Sequence, residues 1–175
     1  MSKGKPDGKL DFPRLVPGLG IGEHLFRDLL SGALESPVFR LIETPAFSST
    51  SLVQATKVRI VPENGFCWVD DSIPCIVLAQ SYYETGSDLD LYLDLLHELT
   101  HIRQLLEGRD VWDENYQYHR RPTEIEGYAV AVAEGQRLGL EKQGILDHLS
   151  NPWMTPEQVT DLYKQVIAFL ALQET

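Results

Sequence analysis

The sequence predicts a single α+β domain, a small and mostly antiparallel sheet packed on a buried helix and followed by further helices. Three observations lead there. A chain of 175 residues fits one domain and buries roughly 70% of the surface its unfolded form exposes. Between residues 38 and 83 the apolar residues come in short, β-branched, partly alternating runs, and after Gly86 the pattern turns helical. Hydrophobic residues at 43% and charged residues at 23% exclude wholesale disorder and fibrous repeats.

Taken in order, residues 1–20 are rich in Gly, Pro and Lys, and Pro6, Pro13 and Pro17 interrupt any regular element, so they read as a flexible or surface-draped arm. The Gly18-x-Gly20-x-Gly22 run has no strand before it and reads as part of that arm, not as a nucleotide loop. Ile21, Leu25, Leu29 and Leu30 predict a short amphipathic helix that stops at Ser36-Pro37. Strands are expected at Val38–Ile42, Leu52-Val53, Lys57–Val61, Phe66–Val69 and from Cys75 on to Tyr83, with a turn at Glu63-Asn64-Gly65.

Ser87 or Asp88 can cap the next helix, whose leucines lie nearly all round, the mark of a buried helix. Gly108 is its natural left-handed stop. A polar, aromatic loop then runs to Pro122, a helix rich in small residues covers 123–138, and a third covers 140–149. Thr155-Pro-Glu-Gln158 is a capping box that opens the last helix.

Charge narrows the function. With 26 acidic and 15 basic residues the net charge is −11, which disfavours sequence-independent nucleic-acid binding and docking on anionic membranes. No apolar run approaches the roughly 20 residues of a membrane span, and no apolar stretch follows the lysines of the first segment as in a secretory signal. Cys67 and Cys75 are too few for a disulfide framework. A cytoplasmic protein is expected.

The chemistry lies in His97-Glu98-Leu99-Thr100-His101. Spacing i, i+4 puts both imidazoles on one helix face, one turn apart, where two neutral nitrogens can bind one metal ion. Glu98 is rotated about 100° from His97, so it stands beside the ion as a general base for a metal-activated water. Two histidines and a glutamate in a leucine-walled helix are costly burials without such a purpose.

A catalytic zinc site takes three protein ligands and keeps one position open. Glu107 is excluded as the third, because ten residues of continuous helix span about 15 Å. Cys67 is a weak candidate, since a buried free cysteine is more often plain core. Glu124 and Glu126 open the small-residue helix, where a carboxylate suits the helix dipole and close helix approach brings it to the metal.

His97-Glu-Leu-Thr-His101 followed by a glutamate on a second helix resembles the gluzincin branch of the zincin metallopeptidases, and the order sheet, helix, loop, helix over residues 38–138 resembles a minimal zincin core. Related families write the second helix as E-x-x-A-(D/N), and in that register Glu124 matches the metal ligand while Tyr128 departs from the usual Asp or Asn. Aminopeptidase-like members write E-G-F-A, which would put Glu126 in register. Glu124 is favoured, with the other glutamate supporting the ligands from behind.

The resemblance implies a single zincin-like domain over 21–175 holding one Zn2+ through His97, His101 and Glu124. It also implies Glu98 as catalytic base and a peptide or protein as substrate. Tyr116, Tyr118, His119 and Tyr128 are candidate oxyanion donors, Asp94 a candidate partner for an imidazole, and Arg120 and Arg121 candidate anchors for a substrate carboxylate. Ile76–Tyr82 resembles the edge strand on which such enzymes lay an extended peptide. Competing readings are a catalytically silent binding or regulatory protein, a deformylase-like amidase and a structural zinc protein. Oligomeric state is left open.

Overall fold

The computed structural model describes residues 12–31 and 36–173, and they form an α+β fold. Short N-terminal elements come first: β1 (Arg14–Leu15), β2 (Gly22–Leu25), the single turn α1 (Phe26–Leu29) and β3 (Leu30–Ser31). A 3-10 helix follows at Pro37–Leu41, then α2 (Ser49–Ala55), β4 (Lys57–Val61), β5 (Cys67–Asp70), β6 (Cys75–Ala79) and α3 (Gln80–Thr85). The remainder is helical: α4 (Asp88–Leu106), a 3-10 turn at Tyr118–Arg120, α5 (Pro122–Arg137), α6 (Lys142–Leu149) and α7 (Pro156–Gln173).

The main sheet has four strands in the order β2-β4-β6-β5. It is mixed: β2–β4 and β6–β5 are antiparallel, whereas β4 and β6 run parallel, with α4 following the sheet. All five residues of β6 are buried. A continuous apolar run is the signature of a strand covered on both faces, and β6 accordingly lies inside the sheet. The expected edge role of Ile76–Tyr82 is therefore wrong, and the edge on that side is β5. The strand also ends at Ala79, because Gln80–Thr85 turn into α3.

Three other expectations are corrected. The helix expected over 21–34 is instead β2, one helical turn and β3, with residues 32–35 outside the described set; the open side of β4 offers a ladder that outweighs the weak local periodicity. Val38–Ile42 belongs to the 3-10 helix, started by Pro37 and by the Ser36 side chain, which accepts from the Val38 N–H. Leu52-Val53 lies in α2, capped by Ser48 through the Ser51 N–H.

Of the 1–20 arm, residues 12–20 lie along the domain: Phe12 stacks on Tyr92, β1 pairs with β3, and the Leu19 N–H donates to the Tyr83 hydroxyl. Residues 1–11 lie outside the described residues.

The helices end where the sequence places them. Ser87 caps α4 by accepting from the Asp90 N–H at 3.1 Å. Gly108, at φ 74°, closes α4 in the left-handed conformation, and Arg109 N–H returns to the Gln104 carbonyl. Thr155 and Gln158 exchange the two bonds of a capping box before α7.

Two apolar cores meet at α5. One joins the sheet, α4 and the inner face of α5, and the other joins the outer face of α5 to α6 and α7. With α4 sunk among leucines and α5 against it, the polar residues these helices turn toward each other are removed from water, and that seam holds the site.

Candidate metal centre

His97 and His101 sit one turn apart on α4, with ring centroids 4.5 Å from each other. Glu124, in the first turn of α5, projects between them. Its Oε2 lies 3.3 Å from His97 Nε2 and 3.5 Å from His101 Nε2, and each of the three side chains is at most 7% exposed. Two donors about 2.0–2.1 Å from a common centre at the tetrahedral angle stand roughly 3.3–3.4 Å apart, so the spacing suits one small ion. Among the described residues this is the group of His, Cys, Asp and Glu side chains close enough to hold a metal. Glu124 Oε2 is buried and accepts no hydrogen bond, as expected of a donor reserved for an ion.

Gly127 makes the approach possible. A Cβ built on it would stand 3.0 Å from both Cε1 and Nδ1 of His97, so the imidazole lies against bare α5 backbone. The ring also meets Tyr128, centroids 4.2 Å apart. His97 Nδ1 is buried without a hydrogen-bond partner. Asp94, the expected partner of an imidazole, instead accepts from the Tyr82 hydroxyl at 2.6 Å.

His101 is oriented by a polar relay. Its Nδ1 bonds Gln104 Oε1 at 2.7 Å, and Gln104 Nε2 donates to the Thr123 carbonyl and to Glu126 Oε2. An amide oxygen only accepts, so Nδ1 carries the proton and Nε2 faces Glu124. Glu126 is thus behind the site: it pairs with the buried Arg103 and with Arg109. Glu107 is likewise committed to Arg103, at 2.8 Å.

Electrostatics follow from this burial. Burial and the neighbouring His101 push His97 below its usual pKa. Burial also works against charge on His101, but the Glu124 carboxylate outweighs it and holds that imidazole at about 9. Glu124 is raised by burial and lowered more by the two imidazoles, ending well below the usual carboxylate range. Glu98 has burial without an equal counter-charge and is pushed up to about 8. In the absence of an ion, His101 and Glu98 are thus both shifted toward their protonated forms.

Glu98 and His97 face a cleft of about 270 Å³. Cys67 of β5 lines it but belongs to no metal-holding group, and burial raises its thiol pKa. Tyr118 and Tyr128 close another wall with their hydroxyls 2.8 Å apart, and burial keeps both protonated. The other loop candidates do not line the cleft. Tyr116 points to solvent, His119 lies 3.4 Å from Asp161, Arg120 pairs with Asp161, and Arg121 lies 3.5 Å from Glu124.

Sequence reasoning missed Gln104, His148 and Asn151. Gln104 had a usable signal, since position i+3 from His101 lies on the same helix face; the other two reach the cleft only through the packing of α6. Compared with known proteins, the chain matches no family model, no curated protein and no solved structure. No helix among the described residues is long and apolar enough to cross a membrane.

Proposed function

We propose that this chain is a zinc-dependent metallopeptidase of gluzincin type, with His97, His101 and Glu124 as metal ligands and Glu98 as general base. The supporting observation is the buried His97-His101-Glu124 group, whose His97 lines a cleft together with Glu98. A purely structural zinc site closes its fourth position with a further protein ligand; here the group has three members and the neighbouring space is a cleft. Zinc is the natural ion for two imidazoles and one carboxylate, and its contribution is Lewis-acid activation of a water and of a scissile carbonyl.

The chain's own residues account for the rest. Gln104 fixes the His101 tautomer, and Gly127 and Tyr128 fix the His97 ring. Glu98 accepts the proton of the attacking water and delivers it to the leaving amine; a positive ion beside it would bring its raised pKa down into the range useful for a base. Of the paired Tyr118 and Tyr128 hydroxyls, one donates to the other, and the hydroxyl that accepts keeps its own proton free for a developing oxyanion. Peptide or protein is the expected substrate and the cytoplasm the expected compartment.

Glu98→Gln tests the reading. The variant is expected to keep its fold and one zinc per chain and to lose hydrolysis by about 10²–10⁴-fold, the usual worth of a general base. Full peptidase activity in that variant overturns the mechanism.

A further inference from the structure

The cleft continues past Glu98 along α4 into an acidic end that the proposed mechanism does not use. Asp94 lies one turn before His97 and Asp90 one turn further, about 4.5 and 10.5 Å along the helix axis, and Asp147 of α6 completes the set. Among the cationic side chains of the described residues, His148 is the one lining this end.

Two features here go beyond a solvated acidic face. His148, its side chain 4% exposed, bonds Asp90 Oδ1 through Nδ1 at 3.1 Å, while its Nε2 has no hydrogen-bond partner and stands 3.6 Å from Asp94 Oδ1. The Asn151 amide nitrogen and oxygen, in the same wall, are both buried and both without a partner. Buried polar atoms left open in a cleft cost free energy unless a ligand or water completes them. The mouth is aromatic: Trp153 packs edge-on against Phe66 at 6.2 Å and Tyr118 at 5.9 Å, yet remains 57% exposed, and Phe66 is 46% exposed.

Three carboxylates against a single imidazole, the open Asn151 amide oxygen as acceptor, and indole and phenyl faces at the mouth suit an organic cation, held by charge, by its own N–H donation and by its attraction to ring faces. We propose that this end of the cleft is a substrate pocket for an ammonium or guanidinium group, presented by a peptide whose scissile bond lies at the His97-His101-Glu124 group. The cation comes from a lysine or arginine side chain or from a free N-terminus. The inference rests on the peptidase reading for its geometry, while its binding chemistry stands apart from turnover.

The test measures binding to the zinc-loaded full chain carrying Glu98→Gln. The probes are hexapeptides that differ at one position (lysine, arginine, glutamine or norleucine), each with a free and an acetylated N-terminus. A side-chain guest makes the lysine or arginine peptides bind at least tenfold more tightly than norleucine, and an α-amine guest makes every free N-terminus do so over its acetylated form. Asp94→Asn and Asp90→Asn are expected to cut that ratio below threefold, with zinc content and the affinity for neutral peptides unchanged. Equal binding of charged and neutral peptides, no binding of any peptide, or a ratio that survives both substitutions overturns the proposal. Cleavage of the same peptides by wild type separates the two claims. Charge-selective binding without cleavage keeps the pocket and rejects the peptidase, and cleavage without charge preference does the reverse.

Discussion

Gly127→Ala probes the closest contact in the site. In an ordinary helix interior the change stabilises by about 0.8–1 kcal/mol, because glycine is the poorer helix former. Here the new methyl would sit 3.0 Å from Nδ1 and Cε1 of His97, a few tenths of an ångström inside ordinary contact. The ring also packs against Tyr128, with centroids 4.2 Å apart, which limits its room to shift, and overpacking of this kind costs roughly 1–3 kcal/mol. The metal-free variant is therefore expected to be unchanged or up to about 2 kcal/mol less stable in urea unfolding. Zinc affinity falls more surely, by on the order of tenfold or more, since a displaced donor no longer meets Glu124 and His101 at one centre. Competition with a chromophoric chelator measures it. A variant that gains the full helical increment and binds zinc as wild type does would show that His97 does not rest on that backbone.

Gln104→Leu removes the acceptor that sets the His101 tautomer, and zinc affinity is expected to fall about 10–100-fold; an unchanged affinity in the chelator assay would remove Gln104 from the site. The His148–Asp90 pair predicts a pH dependence of metal-free stability. The Asp90 pKa is lowered, chiefly by His148, and that of His148 is raised because Asp90 and Asp94 outweigh burial. The histidine's contribution is complete below its unfolded pKa of about 6.5 and is lost as pH rises through the raised folded value. The aspartate's contribution is present above about 3.9 and is lost as pH falls through the lowered one. The stability lost on His148→Gln should thus be largest between about pH 4 and 6.5 and shrink above that window; a pH-independent difference in urea midpoints would refute the pairing.

The helical half of the molecule was legible in the sequence because its signals are local. Ser87, Gly108, Pro122 and the Thr155–Gln158 box mark helix ends with their own side chains or backbone freedom. The same holds for the site: i, i+4 spacing brings His97 and His101 together, and the small face of α5 brings Glu124 to them. Glu124 and Glu126 could not be separated by spacing alone; in the fold Glu126 is engaged by Arg103 and Gln104 of α4, while Glu124 stands with the two histidines. The N-terminal half was misread where pairing across the chain overrides local pattern, as in β2 against β4. It was misread also where a short run such as Leu52-Val53 fits strand and helix equally and only the Ser48 cap tells them apart. The acidic end of the cleft was out of reach, because Asp90 and His148 meet only once α6 packs on α5 and α7 and carries His148 back to α4.

Metal content tests the central claim most directly. Purified wild type, Glu124→Gln, Glu126→Gln and Cys67→Ser are compared by mass spectrometry after incubation with zinc and gel filtration. One zinc per chain in wild type and Cys67→Ser, retained in Glu126→Gln and lost in Glu124→Gln, is the predicted result. Absence of zinc from the wild type, or full retention in Glu124→Gln, would contradict the metal centre described above.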